Sequence, residues 1–498
     1  MIQGTLSRAR RSLILAVVTA GFALLVFAVA PGGAASPDRV TVGGATPALP
    51  AARELGGVPA KEHLRLTVVL SPRHAAELAA FASAVSTPGS PSYRHFIDVP
   101  QFAARFGAGE RAIAVVRRTL RADGLQVGTA QPNGLSLPVF GDAAHVSRAF
   151  GVNLRRFREN DGRHVFANTS APSVPASLRG IVSNVLGLNS LPAAVPEGIV
   201  TTRAPHAHTA SGPFAGGLGP VPCPAASAYA APAGEYTINQ IATAYGLNGL
   251  YAQNDLGQGV TIAMYELEGY PNLASDIGNY ENCYQTSTPI FLAPAVDGGP
   301  GTPVPAGTTP GPGQYAPSAE TSVDLENVIG LAPQASVVVY QGPNNYPGNY
   351  DTLAHIISAN SAQVINDSWG ICEKDQLSGL QANESTLLQE AATQGMSFIS
   401  STGDRGSQGC VAVCPPTNPG CSLWLPVNNS HPLQVDDPAS QPYATGVGGS
   451  DLSSISPPVE TSWNEPFWGA SGGGISQKWS MPSYQANAGM PGTINSYT

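Results

Sequence analysis

SAETSVDLENVIGLAPQASVVVYQG, residues 318–342, joins a helical pattern to a short, uninterrupted apolar strand. The same alternation recurs along the second half of the chain, where further apolar strands are indicated at 259–267, 362–370, 396–406 and 443–452. Strands that are buried on both faces read as continuous apolar runs, and their alternation with helices is typical of a parallel sheet. The sequence therefore predicts a doubly wound α/β domain, whose site lies off the carboxyl ends of the strands.

Two carboxylates, Glu320 and Asp324, stand four residues apart at the start of this helical pattern. Four residues turn a helix by about 40° beyond one full turn, so both side chains share a face, with Asn327 one turn further on. Like charges this close repel, and burial would raise the pKa of one of them. A solvated first turn, where the helix dipole favours carboxylates, explains the same spacing, so the pattern alone leaves both readings open.

A third carboxylate, Asp404, follows a predicted buried strand in the segment STGDRG, residues 401–406. Gly403 and Gly406 flank it and let the backbone approach a ligand closely. A protonated aspartic acid at such a place could donate a hydrogen bond to a developing oxyanion. An aspartate that caps a turn after a strand is the alternative interpretation.

The beginning of the chain carries an export pattern. Residues 7–30 combine a basic start with a long apolar run, and the small residues PGGAAS follow, which predicts a signal peptide within residues 1–35. An uncleaved membrane anchor is the alternative, because the run is long enough to span a bilayer.

The cysteines agree with an oxidising compartment. All six lie in the second half of the chain, and their even number favours disulfides over an irregularly spaced zinc site: Cys223, Cys283, Cys372, Cys410, Cys414 and Cys421. We therefore expect a secreted protein whose second domain is held by disulfides.

Charge divides the chain into two unlike modules. Residues 36–203 contain 18 Lys and Arg against 11 Asp and Glu, whereas residues 204–498 contain 3 against 22. Between about 46 and 190 the patterns predict a compact α+β module, and residues 195–234 form a polar linker suited to cleavage. Opposite charges attract the modules at neutral pH, and protonation of the carboxylates weakens that attraction, as expected of a propeptide released by acid.

Binding of the basic module to an anionic cell surface or to nucleic acid is the alternative reading of its charge. No basic run interleaved with aromatic residues supports nucleic acid.

Several motifs in one order resemble the sedolisin, or serine-carboxyl peptidase, family. Residues 90–107 and 137–157 are similar to its activation propeptide, and residues 236–264 to the start of its catalytic domain. The later motifs follow in the family's order: the E-x-x-x-D helix with Glu320 and Asp324, VINDSWG at 364–370, STGDRG at 401–406, and SWNEPFWGASGGGISQKWSMPSYQ at 462–485.

The resemblance implies a subtilisin-like, mostly parallel sheet, preceded by an α+β propeptide domain, and acyl transfer in acid. Glu320 would be the general base toward a serine, and Asp324 would orient it and hold their shared proton. Asp404 would donate to the oxyanion, while Trp369 and Gly403 would bind substrate. A carboxylate base suits low pH, because a base works best with a pKa near the operating pH.

The chain departs from the family pattern at the nucleophile. The family's serine lies in a G-T-S motif downstream of residue 485, and no G-T-S occurs in the 498 residues; GTIN at 492–495 has no serine at its third position. Ser368, Ser401 and Ser407 lie near matched motifs, but the resemblance gives none of them this role. We therefore expect a catalytic domain, residues 235–498, that is incomplete at its C-terminus, and a polypeptide that is inactive alone.

The expected partners are protein or peptide substrates and the chain's own propeptide, bound in cis or in trans. Nucleic acid is not expected, and a membrane is expected to be contacted only through the N-terminal segment. No cofactor or metal is expected in this chain, although the resemblance implies Ca²⁺ for a complete family member.

An exported homologue that binds peptides without chemistry is the alternative function. A histidine-based subtilisin relative is disfavoured, because His355 and His431 lie in no triad motif and are interpreted as structural.

Overall fold

The computed structural model describes residues 38–485, apart from 44–45, 48, 50–51, 161, 197–218, 234, 305–313, 316–319, 378, 410–432 and 466–468. Several predicted features lie outside the described residues: the signal peptide, most of the linker, His431 and the cysteines Cys410, Cys414 and Cys421. Within the described part of the chain, no helix has the length and apolar character needed to cross a membrane.

The first module is built from antiparallel strands and short helices. Its strands are β1 (Arg39–Thr41), β2 (Arg53–Gly57), β3 (His63–Leu70), β4 (Gln126–Val127), β5 (Ser136–Asp142), β6 (Leu154–Arg158), β7 (His164–Asn168), β8 (Ser173–Pro175) and β9 (Val182–Leu186). Its helices are α1 (Ala75–Ser86), α2 (Val99–Arg105), α3 (Glu110–Ala122) and α4 (Ala143–Phe150), with a 3-10 turn at Ala176–Leu178.

The α+β character predicted for this module is confirmed. Helices α1 and α3 both form, and β3 lies inside an antiparallel sheet of order β4-β5-β3-β9. Ile113, Val116 and Leu120 recur at helical spacing on α3 and are its buried face. This sheet and the helices packed on it therefore have an apolar core of their own.

The second module contains the remaining elements. The strands are β10 (Val195–Pro196), β11 (Thr261–Glu266), β12 (Ile290–Leu292), β13 (Thr302–Pro303), β14 (Gln314–Tyr315), β15 (Ser336–Gln341), β16 (Val364–Asp367), β17 (Trp369–Cys372), β18 (Ser397–Ser401), β19 (Asp436–Asp437), β20 (Ala444–Val447), β21 (Ser450–Ile455), β22 (Pro458–Ser462), β23 (Asn464–Glu465) and β24 (Gly469–Ala470). The helices are α5 (Pro224–Ala233), α6 (Ile238–Ala244), α7 (Asn248–Tyr251), α8 (Leu273–Tyr284), α9 (Glu320–Leu331), α10 (Tyr346–Ala359) and α11 (Leu380–Gln394), with a 3-10 turn at Val296–Gly298.

A parallel sheet of six strands, in the order β12-β15-β11-β16-β18-β20, forms the centre of the second module. Successive side chains of a strand point to opposite faces. Val337 and Val339 of β15 accordingly pack with α8 and α9, whereas Tyr340 packs on the other face with α10 and α11. The prediction of a doubly wound, mostly parallel sheet is confirmed.

One predicted strand divides into two. The run at 362–370 ends as β16 at Asp367, and β17 begins at Trp369, with Ser368 between them. The carboxylate of Asp367 accepts a hydrogen bond from the backbone N–H of Trp369 at 3.0 Å, which stabilises the turn in the chain there. The predicted strand at 443–452 divides in the same way into β20 and β21.

Helices α10 and α11 are covered by the first module. A single apolar cluster contains Leu78 and Phe102 from the first module together with Leu353 and Leu387 from the second. Helix α1 packs on α11, and β3 contacts α10. The two helices therefore lie between the six-stranded sheet on one side and the first module on the other.

Polar contacts accompany this apolar interface. Thr67 donates to the carboxylate of Asp351 at 2.6 Å, and Asn133 donates to Glu390 at 2.8 Å. Arg65 forms an ion pair with Asp297 and lies 3.5 Å from Asp351. Buried carboxyls of the second module therefore receive their partners from the first.

His355 lies at the same interface and is half-buried. Its Nδ1 is 2.7 Å from the carbonyl oxygen of Asp351, and Gln131 of the first module contacts the ring at 3.1 Å. These contacts agree with the structural role expected for this histidine.

Disulfides hold the second module, as expected. Cys223 is bonded to Cys283, which joins the start of α5 to the end of α8. Cys372, at the end of β17, is also disulfide-bonded.

We predict that Glu390→Gln flattens the pH dependence of stability. Burial raises the pKa of Glu390 to about 8, so the folded chain retains a proton that the unfolded chain releases above its ordinary pKa of 4.5. The resulting stabilisation is complete below about pH 4.5 and is lost as pH rises through about 8. The variant should have an unchanged Tm at pH 4.5 and a Tm about 2 °C or more higher at pH 8.5, measured by differential scanning fluorimetry.

The exposed Glu77 provides the control, since Glu77→Gln should leave the difference in Tm between these two pH values as it is in the wild type. A Glu390→Gln variant that loses stability equally at both pH values would contradict a protonated, buried carboxyl.

Candidate active site

The first turn of α9 places its carboxylates against the carboxyl end of β16. Asp324 accepts a hydrogen bond from Asn366 at 2.8 Å through one oxygen and from Ser368 at 2.9 Å through the other. Glu320 is only 3% exposed and lies beside Asp324 in the same turn. The solvated first turn that the spacing also allowed is therefore not observed. Asn327, one turn further on, is exposed, and its side chain bonds the backbone of its own helix.

Burial governs the protonation of the pair. It raises the pKa of Glu320, and the neighbouring charges of Asp324 and Asp404 raise it further. Burial also raises the pKa of Asp324, but hydrogen bonds from Ser368, Asn366 and Glu320 oppose that rise. The carboxyl that is hydrogen-bonded by more donors is the better anion, so the shared proton resides on Glu320.

This order of pKa values differs from the expected division of roles, in which Asp324 would hold the proton. Asn366 and Ser368 give Asp324 two donors, whereas one carboxyl oxygen of Glu320 is buried without a hydrogen-bond partner. A proton on Glu320 lowers the cost of burying it.

Asp404 lies close enough to raise the pKa of Glu320. Burial raises its own pKa to about 6, and the neighbouring Arg405 opposes that rise. The backbone carbonyl of Asp404 accepts from Ala470 at 2.9 Å, which fixes the loop that carries it. Below about pH 6 this carboxyl is neutral and can donate a hydrogen bond.

Gly403 has a φ of 92°, a left-handed conformation that favours glycine. Its N–H donates to Ser401 at 3.3 Å, and its carbonyl accepts from Gly472 at 2.7 Å. Both backbone groups of Gly403 are therefore engaged within the chain, and its role in substrate binding stays a prediction.

The side chain of Trp369 lies in the core, whereas its backbone pairs with Pro196 at the cleft beside the carboxylate pair. The indole is 1% exposed, and its N–H donates to Glu266 at 3.2 Å. Glu266 ends β11, is buried, and accepts a second hydrogen bond from Thr321 at 3.0 Å. Substrate contact by Trp369, predicted from the sequence, is therefore open only to its backbone.

A segment of the same chain occupies the strand next to these carboxylates. Val195 and Pro196 form β10, which pairs antiparallel with β17, Val195 opposite Gly370 and Pro196 opposite Trp369. The chain thus advances along β17 toward Ser368, whose hydroxyl bonds Asp324. An extended segment of the chain therefore runs toward the residue that bonds the carboxylate pair.

The sequence analysis assigned no role to Glu266, Asn366 or Ser368. Glu266 carried a signal, because a carboxylate that ends the apolar run TIAMYE lies at the functional edge of a parallel sheet. Ser368 and Asn366 carried none beyond their place in VINDSWG.

Within the described residues, no group of three or more His, Cys, Asp or Glu side chains is arranged to hold a metal ion.

Two family models match parts of the chain, and several known proteins are similar to it. Residues 50–191 match the family described as Pro-kumamolisin, activation domain, and residues 305–490 match the Subtilase family. Kumamolisin from Bacillus sp. (strain MN-32) is 29% identical over 462 residues, which cover 92% of this chain and 75% of kumamolisin. Sedolisin from Pseudomonas sp. (strain 101) is 29% identical over 453 residues, covering 87% of this chain and 69% of sedolisin.

A solved structure of Pseudomonas sedolisin, described as a serine-carboxyl proteinase complexed with two molecules of pseudo-iodotyrostatin, is 24% identical to this chain. The match covers 52% of this chain and 67% of the sedolisin chain, with a TM-score of 0.39.

We predict that Ser368→Ala raises the pKa values of the carboxyl pair by about one unit, because a hydrogen bond to a charged group contributes about 1.5 kcal/mol or more. The Ser368 hydroxyl lowers the pKa of both Glu320 and Asp324. Titration of the carboxyl carbons by ¹³C NMR, assigned with Glu320→Gln and Asp324→Asn, measures the shift.

Ser401→Ala serves as the matched control, because the hydroxyl that it removes accepts from the N–H of Gly403 and does not bond the carboxyl pair. Equal titration curves for Ser368→Ala and the wild type would show that this serine does not tune the pair.

Proposed function

The chain belongs to the sedolisin family of serine-carboxyl peptidases, and we propose that it is the precursor of an exported endopeptidase that acts in acid. The observation that carries this proposal is the buried Glu320–Asp324 pair at the end of β16, with an extended segment of chain on the adjacent β17. A serine, a proton acceptor and an oxyanion donor are what acyl transfer from a peptide requires.

Glu320 is the general base in this proposal. When the pair's shared proton has passed to Asp324, Glu320 takes the proton from the attacking serine hydroxyl and later gives it to the leaving amine. Asp324, held by Asn366 and Ser368, orients it. Asp404, neutral below about pH 6, donates a hydrogen bond to the oxygen on which negative charge develops. Water then attacks the acyl-enzyme by the same route and releases the acid product.

The pH dependence follows from these roles. Asp404 must be protonated to donate, so activity is lost as pH rises through about 6. Glu320 can accept a proton only while the pair holds a single proton and that proton has passed to Asp324. A second proton bound at lower pH prevents this, so activity also falls there. An acid optimum results.

The nucleophile is the open element of the site. The 498 residues contain no G-T-S motif, and the hydroxyl of Ser368 donates to Asp324. In this proposal none of Ser368, Ser401 and Ser407 attacks a substrate, and the polypeptide is inactive alone.

The first module acts as an activation propeptide. Its net positive charge and the net negative charge of the second module favour their association at neutral pH. The signal pattern at residues 7–30 and the disulfides support export across a membrane.

An exported peptide-binding protein without chemistry is the second candidate, favoured by the peptide segment that lies on β17. A peptide-binding assay at acid pH on Asp404→Ala, which removes the oxyanion donor, helps to separate the two candidates, since a protein that only binds peptides should scarcely be affected by this change.

We predict that the 498-residue polypeptide shows no cleavage of a denatured, fluorescently labelled protein at any pH from 3 to 7. Glu320→Ala is the control, because cleavage that this variant abolishes would originate in the site and contradict the prediction.

We predict that acid loosens the propeptide. Hydrogen exchange of α1 and α11 in the intact chain, corrected for the intrinsic pH dependence of exchange, should be faster at pH 4 than at pH 7. Equal or greater protection at pH 4 would show that charge attraction does not hold the modules together.

A further inference from the structure

One side chain of the second module, Asn344, binds the backbone of the segment that leads from the first module to β10. Asn344 lies between β15 and α10, and its Oδ1 accepts hydrogen bonds from the N–H groups of Ala193 at 3.0 Å and Ala194 at 3.2 Å. Its Nδ2 donates to the carbonyl of Ala194 at 2.9 Å. A single amide thus makes the contacts to a peptide backbone that a neighbouring β-strand would make.

The two alanines that Asn344 holds are enclosed. Ala193 is 0% exposed and Ala194 is 3% exposed, and both belong to the apolar cluster beneath α10 and α11. Val195 and Pro196, which follow on β17, are only half-buried. Larger side chains in place of the alanines would meet a packed core, whereas the next two positions retain free volume.

Glu268 fixes the orientation of Asn344. Its Oε1 lies 3.4 Å from Nδ2 of Asn344, the atom that also donates to the carbonyl of Ala194. An asparagine amide can turn over by exchanging its oxygen and nitrogen, and an acceptor beside Nδ2 favours the orientation that points Oδ1 at the alanine N–H groups. Burial raises the pKa of Glu268 to about 7, and either protonation state retains an accepting oxygen.

The direction of the chain defines which part of a substrate this place would take. Residues 193–196 run along β17 toward Ser368 and the carboxylate pair. Ala193 and Ala194 therefore lie on the amino side of any peptide bond that is presented to Glu320.

We infer that Asn344, oriented by Glu268, is a specificity-determining residue that binds extended peptides by their backbone and selects two consecutive small residues on the amino side of the scissile bond. In this chain the subsite is occupied by its own Ala193–Ala194. The inference rests on the proposed peptidase function. Its tests measure whether a peptide occupies the place beside Asn344 and do not measure cleavage, so the inference and the proposed function can fail separately.

The first test follows the tethered segment in the full-length chain by hydrogen exchange and mass spectrometry. Asn344→Ala should increase exchange of the amides of residues 191–195 by at least tenfold, because three backbone contacts are lost. Asn344→Asp keeps the acceptor and should give an intermediate increase. Asn327→Ala, which removes an exposed asparagine on α9, is the matched control and should give wild-type exchange.

The second test frees the subsite and offers it a peptide, since a tethered segment would outcompete a free one. The variant A193L/A194L should show fast exchange of residues 191–195 and of β17, with the circular dichroism of the wild type. It should bind acetyl-Ala-Ala-Val-Pro-amide at least tenfold more tightly than acetyl-Leu-Leu-Val-Pro-amide, measured by isothermal titration calorimetry.

Adding Asn344→Ala to this variant should weaken binding of the alanine peptide at least tenfold, and adding Glu268→Gln should weaken it less. The inference is wrong if A193L/A194L keeps wild-type protection, if both peptides bind equally, or if Asn344→Ala leaves the affinity unchanged. Loss of all protection in Asn344→Ala, including that of the six-stranded sheet, would also overturn it, because the residue would then be needed for the fold and not for the cleft.

Discussion

Helices α10 and α11 are buried on both sides, and the carboxyls that they carry must find partners inside the protein. Asp351 and Glu390 lie 3% and 0% exposed, and the first module supplies Thr67 and Asn133 to bond them. If the first module moved away, both carboxyls would lose these hydrogen bonds. Because a buried polar group without a partner costs about 1–3 kcal/mol, separation requires that water replace the lost bonds. The position of the first module, and with it the course of residues 193–196 into the cleft, depends on this packing.

The same burial gives acid two opposite effects on the interface. Protonation of the carboxylates of the second module that are charged at neutral pH weakens the attraction between it and the basic first module. Asp351 and Glu390, however, have raised pKa values because they are buried, and a carboxyl that binds its proton more tightly in the closed form favours that form in acid. Release by acid therefore requires the loss of long-range attraction to exceed the gain from these two carboxyls.

The fold could be predicted because its signals are local. The run SVVVY in β15 is apolar at every position except its first, as a strand covered on both faces must be, and α3 repeats its apolar residues at helical spacing. The break at Ser368 could not be predicted in this way. VINDSWG is predicted as part of one strand, and the break comes from a side chain, Asp367, whose carboxylate accepts a hydrogen bond from the backbone N–H two residues on.

The site was predictable only in part, because its remaining members are defined by contacts between distant segments. Glu320, Asp324 and Asp404 were found by spacing and resemblance, but the pKa order of the pair depends on Asn366 and Ser368, more than 40 residues away from Asp324 in sequence.

Asn344 is the hardest of these residues to predict from the sequence. The backbone that it binds lies about 150 residues earlier, and the two residues bound are alanines, which have no polar side chain. A polar side chain that replaces a missing strand leaves no periodicity in the sequence. It can be recognised only from the hydrogen bonds that it makes, and these are defined by the fold and not by a motif.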